Sequence, residues 1–127
     1  MAFALEYLDH LVLTVANIDA SVDFYTEVLG MDLVTYDGRK AITFGEQLIG
    51  LQQRGHETNP KAAHPMPGSS DLCFVTSTPL DEVVRYLTEQ RVHIEEGPAE
   101  RSGAAGKIRS IHLRDPDQNL IEIANYR

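Results

Sequence analysis

The second half of this chain repeats the first, and that restricts its fold before any single element is considered. A gapless displacement lays His10 on Asp71, Asn17 on Thr78, Val22 on Val83 and Tyr25 on Tyr86, and it holds as far as Leu33 over Ile94. Farther along, a second displacement lays Leu48-Ile49-Gly50-Leu51 on Leu120-Ile121-Glu122-Ile123. Few residues are identical, yet the order of apolar and turn segments recurs. Similarity at a fixed spacing marks a fold built from copies of one supersecondary unit.

The unit itself can be read from periodicity. Leu8 to Val15 is rich in Val and Leu and predicts a buried strand. Asn17 then suits a helix cap, with Val22, Tyr25, Val28 and Leu29 at helical spacing and Gly30 at the C′ position. Three strands follow at Asp32 to Tyr36, Lys40 to Phe44 and Leu48 to Gln53, with Asp37-Gly38 and Gly45 as turn residues. Residues Arg54 to Ser70 lack periodicity and predict a linker or mobile loop. The second copy opens with a strand at Leu72 to Thr76. Thr78-Pro79 gives a cap and a first helical proline, and Leu80, Val83, Val84 and Leu87 form the apolar face. Val92 to Ile94, Ile108 to Leu113 and Leu120 to Ala124 complete it, with Asp115-Pro116-Asp117-Gln118 as the last turn. The expectation is an α+β fold of two βαβββ modules in one domain over 1–127: module one at about 6–54, a linker at 55–70 and module two at 71–127.

Composition excludes several functions. The length of 127 residues suits one domain with a real core, and 43% apolar with 24% charged residues suits an ordinary globule. A net charge of −8 without a basic run argues against nucleic acid or anionic lipid as partner. Met1 to Tyr7 lacks the basic start and long apolar run of a signal peptide, and no stretch is long enough to span a membrane. The lone Cys73 has no partner for an internal disulfide, so a cytoplasmic location is expected.

Strand alternation sorts the side chains. Leu11, Leu13 and Val15 point one way, with His10, Val12 and Thr14 opposed; Ile121 and Ile123 oppose Leu120, Glu122 and Ala124; Ile111 and Leu113 oppose Ser110, His112 and Arg114. One face is therefore apolar, and the other carries His10, Gln52, Asp71, His112 and Glu122. His10 and Glu122 stand out, because an unpaired imidazole or carboxylate among such neighbours is costly. A core histidine hydrogen-bonded to a neighbour is the plain alternative for His10, and a partnered carboxylate for Glu122. Cys73 shares the face of Asp71 and is expected to be a buried, inert thiol. His56, His64 and His93 lie in or near loops and are expected to be solvated.

The stretches Leu8-Asp-His10-Leu-Val-Leu-Thr-Val, Ser21-Val-Asp-Phe-Tyr25-Thr-Glu-Val-Leu-Gly30 and Leu113-Arg-Asp-Pro-Asp-Gln-Asn-Leu-Ile-Glu122-Ile resemble the vicinal oxygen chelate superfamily. That superfamily contains glyoxalase I, extradiol dioxygenases, fosfomycin-resistance proteins and bleomycin-binding proteins. Within it the chain looks most like the small single-domain glyoxalase/dioxygenase-like proteins, some of them called virulence proteins. The resemblance implies paired modules forming a curved mixed sheet around a central metal cavity, often shared across a homodimer. It implies His10 and Glu122 as metal ligands, and Asp71 where many members have histidine. Gly50 falls on the remaining ligand strand and has no donor atom, so Gln52, on the same face, is the candidate substitute. A carboxylate-rich set favours hard ions such as Mn²⁺, Fe²⁺ or Mg²⁺; the metals expected overall are Mn, Fe, Ni or Zn. His112 stands where relatives often carry tyrosine and is the candidate catalytic base. Gln118 replaces the usual glycine of the last turn.

Two functions follow from the resemblance. One is a metal-dependent enzyme, of glyoxalase lyase/isomerase or dioxygenase type, that chelates a small substrate through adjacent oxygens and stabilises an oxyanion. The other is a metal-free protein that sequesters an antibiotic or metabolite, as bleomycin-binding relatives do. The charge of −8 suits a cationic ligand, whereas 7% aromatic residues and no Trp do not suit an aromatic-lined groove. A decayed site on a structural dimer is a third reading, permitted by Gly50 and Asp71.

Overall fold

The computed structural model describes residues 2–36 and 38–127, and of Tyr36 only the backbone. Asp37, half of the expected Asp37-Gly38 turn, lies outside the described residues; Gly38 has φ +73, as such a turn requires. The chain divides into two compact units with the boundary between Met66 and Pro67.

The first unit runs β1 (His10–Val15), α1 (Ile18–Asp23), a π-helical turn (Phe24–Val28), β2 (Asp32–Tyr36), β3 (Arg39–Phe44) and β4 (Gln47–Gln53). Its sheet has the order β1-β4-β3-β2. β1 lies parallel to β4, the arrangement that needs a helical crossover, and the other pairs are antiparallel hairpins. α1 starts where Asn17 predicts it, the Asn17 Oδ1 accepting from the Ala20 amide at 3.1 Å. A second tie joins helix and sheet, since the Ile18 amide donates to Gln53 Oε1 at 3.0 Å. α1 therefore covers the Ile49–Leu51–Gln53 face, where Leu13, Val15, Tyr25, Ile42, Ile49 and Leu51 form the core. The helix widens to π geometry at Phe24 and turns the fully buried Tyr25 inward, its ring edge-on to Phe24 at 5.1 Å. β1 begins at His10, two residues later than Leu8. The preceding segment makes no ladder and is exposed.

The second unit repeats the plan with β5 (Asp71–Val75), α2 (Leu80–Glu89), β6 (Glu96–Gly103), β7 (Gly106–Arg114) and β8 (Leu120–Tyr126), in the order β5-β8-β7-β6. β5 is parallel to β8 and the rest antiparallel. The fold is thus α+β, two βαβββ units each built on a four-stranded mixed sheet. Two expectations need correction. Val92 to Ile94 is not a strand; the edge strand is Glu96–Gly103, bulged between Glu96 and Ala99 around Gly97-Pro98. Such a strand suits an edge, where a proline need not donate and charges discourage further pairing. The start of α2 also lies one residue on, with Pro79 rather than Thr78 as the cap residue. No side chain of the helix caps it. Asn125 on β8 does so instead, its Oδ1 accepting from the Leu80 amide at 2.8 Å and its Nδ2 donating to the Thr76 and Thr78 carbonyls. With Arg109 reaching Asp81 at 3.3 Å, these contacts place α2 on the face of Arg109, Ile111, Ile121, Ile123 and Asn125.

Candidate functional site

Alternation along β7 and β8 puts His112 and Glu122 on the face of the second sheet turned away from α2. They are register partners. His112 Nε2 lies 3.6 Å from Glu122 Oε2, and the two side chains are only 15% and 16% exposed. Cys73 on β5 flanks Glu122 from the other side and Glu96 on β6 stands opposite His112. A row Cys73–Glu122–His112–Glu96 therefore crosses the whole sheet, and every member is titratable. The equivalent row of the first sheet is Val12–Gly50–Ala41–Val34. The duplication has kept the register and divided the chemistry: proton-active groups in one copy, small apolar side chains in the other.

Glu122 is held from several directions. The buried Ser110 hydroxyl donates to its Oε2 at 2.6 Å, a short charge-assisted bond. The Cys73 thiol also hydrogen-bonds to it. Cys73 is exposed rather than buried, contrary to expectation, because β5 is an edge strand with β8 as its one neighbour in the sheet. Its thiol is nonetheless pushed up to about 11, chiefly by partial burial and then by the charge and hydrogen bond of Glu122 and the charge of Asp71. The thiol is therefore a poor nucleophile at neutral pH. In chelator-treated protein, the iodoacetamide rate should rise with a midpoint near pH 11. Glu122→Gln should move that midpoint down, since burial remains but the charge is gone; an unmoved midpoint would contradict the contact. Because the folded value is raised, the thiol's contribution to stability is complete below the ordinary thiol range and fades as pH climbs toward about 11.

His112 Nδ1 is buried and has no hydrogen-bond partner. A buried N–H without an acceptor costs more than a bare lone pair, so the proton belongs on Nε2, facing Glu122. Asp71 starts β5, is exposed and pairs in register with Leu120. Its charge also acts on Arg114, whose guanidinium grips Glu95 side-on at 3.0 and 3.1 Å. That bond holds the Glu95 carboxyl below the usual range. A cation at Asp71 therefore meets a neighbouring positive charge.

In the first unit, His10 Nδ1 donates to Asp9 Oδ1 at 2.8 Å. That pairing orients the ring, the carboxylate–imidazole arrangement found behind metal-binding histidines. Gln52 Nε2 donates to Thr14 Oγ1 at 2.9 Å, so any ligation by Gln52 falls to its amide oxygen. Gly50 has no steric need to be glycine: an added Cβ would lie 3.4 Å from Val12 Cγ2, an ordinary contact, and its φ is not positive. Among the described residues of either unit, no group of three His, Cys, Asp or Glu side chains is gathered closely enough to hold a metal. The register places His10 opposite Leu48 and Gln52 opposite Thr14, at opposite ends of the β1–β4 pair, so the first unit does not bring these two together; in the second, Glu122 stands beside His112, and Asp71 lies two residues along β5 from Cys73. His56, His64 and His93 are exposed, as expected.

Residues 7–123 match the model of the Glyoxalase/Bleomycin resistance protein/Dioxygenase superfamily. The chain belongs to this superfamily. It is 53% identical over 123 residues to virulence protein STM3117 of Salmonella typhimurium, covering 96% of this chain and 85% of that protein. The crystal structure of STM3117 superposes with a TM-score of 0.96, at 52% identity, over 98% of this chain and all of that one. Glyoxalase domain-containing protein RDO1 of Mycosarcoma maydis is 50% identical over 121 residues, 94% of this chain and 68% of that protein. Metallothiol transferase FosB of Staphylococcus epidermidis is 25% identical over 118 residues, 91% and 79% of the two chains. Superfamily membership places the chain among glyoxalase, dioxygenase and fosfomycin-resistance types, many of which use divalent metals. Among the described residues no helix is long and apolar enough to cross a membrane.

Proposed function

We propose that this superfamily member is a divalent-metal-dependent enzyme of the glyoxalase/dioxygenase type, acting on a small substrate that presents two adjacent oxygens. The observation that carries this reading is the Glu122–His112 pair on one face of the second sheet, a carboxylate and an imidazole 3.6 Å apart and only 16% and 15% exposed. His10 and Glu122 are the proposed ligands, with Asp71 and Gln52 as the further candidates, and Mn, Fe, Ni or Zn as the ion. The imidazole of His10 backed by Asp9 supports this donor set, as does a metallothiol transferase among the relatives. When bound, the ion supplies Lewis acidity that lowers the energy of an oxyanion.

The chain's own residues divide the remaining work. His112 is the proposed base, its Nε2 3.6 Å from Glu122 Oε2 and its ring steadied by Glu122 across the strand pair. Cys73 stays protonated and gives Glu122 a neutral neighbour. The reading is tested with catechol as a two-oxygen probe. Protein loaded with Mn²⁺ should perturb the catechol absorbance with saturation, and protein stripped by chelator should not. Equal binding in both would favour the metal-free sequestering protein instead.

A homodimer is part of this proposal. Phe3, Leu5, Tyr7 and Leu8, just before β1, are 70%, 89%, 82% and 75% exposed. Four large apolar side chains in one short segment are a surface that a second copy would cover, worth about 1.5–3 kcal/mol per residue when fully buried. Sedimentation velocity should give a dimer, and Leu5→Glu/Tyr7→Glu should shift it to monomer. A wild-type monomer at micromolar concentration would contradict this.

A further inference from the structure

The geometry points to a binding pocket on the second unit that accepts a small neutral aromatic alcohol. It lies at the carboxyl ends of the parallel strands β5 and β8, where the chain turns into α2. Val75, Thr76, Ser77, Pro79, Asn125 and Tyr126 line about 560 Å³ of space, within the range of small-molecule sites. No residue of the reaction proposed above takes part, and the pocket needs no metal.

Its walls are braced by the protein's own hydrogen bonds. Asn125 commits its whole amide to the loop: Oδ1 accepts from the Leu80 amide at 2.8 Å, and Nδ2 donates to the Thr76 and Thr78 carbonyls at 2.8 and 2.9 Å. The Thr76 amide donates to the Ala124 carbonyl, and Thr76 Oγ1 accepts from the Thr78 amide at 3.1 Å. Tyr126 is fixed from its far end, its hydroxyl accepting from the Ala105 amide at 3.0 Å. A pocket so braced exists before its ligand arrives, which spares much of the ordering cost of binding.

The same bonds decide what the ligand must be. With Asn125 and Thr76 engaged, the surface left to a ligand is mostly carbon, from Val75, Pro79 and the Tyr126 ring. Val75 and Tyr126 are 59% and 42% exposed, two large apolar side chains open at neighbouring strand ends. An aromatic ring covers both and meets the tyrosine edge-on or offset. One polar group remains. The Ser77 hydroxyl bonds to none of the described residues, and it can donate or accept. No Asp, Glu, Lys, Arg or His lines the space, so an ionised ligand would lose water without gaining a partner. The net charge of −8 works further against an anion.

The test is titration of chelator-treated full-length protein with 2-phenylethanol, followed by amide chemical shifts. Wild type should saturate with a Kd of about 1 mM or tighter for a ligand of this size. The largest shifts should fall on Val75, Thr76, Ser77, Asn125 and Tyr126. Phenylacetate, the same ring carried on an anion, should bind about tenfold more weakly or worse. Val75→Asp should weaken 2-phenylethanol by about tenfold or more, and Val75→Leu should keep it. Ser77→Ala should weaken it about two- to tenfold, the effect of one hydrogen bond. Melting temperatures check that each variant folds, and the exposed Val75 tolerates either change. Absence of saturable shifts, shifts centred elsewhere, or equal binding by Val75→Asp or of phenylacetate would overturn the site. The probe has one oxygen and cannot chelate, so failure here leaves the metal reading standing, and failure of the metal reading leaves this pocket standing.

Discussion

Asp115→Ala should lower the melting temperature by about 10 °C or more. Asp115 is 2% exposed and Asn119 1%. The Asp115 carboxylate accepts from the Asp117 amide at 2.8 Å and the Asn119 amide at 2.9 Å through Oδ1, and from Asn119 Nδ2 at 2.8 Å through Oδ2. Asn119 Oδ1 in turn accepts from the Ser70 amide at 2.8 Å, and the Leu120 amide donates to the Ser70 carbonyl. One carboxylate thus folds the turn, and through Asn119 it ties the entry of β5 to the entry of β8. Alanine strands three donors, at about 1–3 kcal/mol for each one left buried without an acceptor. A loss of about 3 kcal/mol corresponds to about 10 °C for a domain of this size. The same turn sets the register of β8, so Glu122 should lose its alignment with His112 and Cys73. Differential scanning calorimetry reads the effect directly; a shift below about 3 °C would mean that water replaces the lost carboxylate.

Much of this architecture was legible because it is local. Asn17 as cap, Gly30 as helix stop and the alternation of Leu11, Leu13 and Val15 each depend on residues a few positions apart, and all appear in the structure. The edge strand Glu96–Gly103 was not legible. It has no apolar alternation and holds a Gly-Pro pair, so pairing with β7 rather than intrinsic propensity makes it a strand. The start of α2 was not legible for a similar reason: its cap is Asn125, distant in sequence and brought in by β8. At the site, Glu122 and His112 could be assigned to one face from alternation alone. Ser110 shared that face, but its importance depends on the diagonal lean of Glu122, which pattern does not encode. The exposure of Cys73 was not legible, because composition does not say which strand lies at an edge.

Glu122→Ala should have the second large effect, a loss of about 100-fold or more in divalent-metal affinity, since removing a ligand costs at least as much as removing the group behind it. It also strips the Ser110 hydroxyl of its acceptor in a buried setting, at about 1–3 kcal/mol of stability. Glu122→Gln separates the two consequences. The amide keeps an oxygen for Ser110 and restores stability, but as a neutral ligand it should not restore metal affinity. His10→Ala should weaken the metal while leaving the second sheet unchanged, because His10 and its partner Asp9 lie in the other unit.

The most direct test is the metal content of protein purified without chelator, wild type against His10→Ala/Glu122→Ala, by plasma mass spectrometry. A metal held by these residues requires about one Mn, Fe, Ni or Zn per chain in the wild type and almost none in the double variant. No metal in either protein, even after incubation with divalent ions, would contradict the metal site and with it the enzyme built on it.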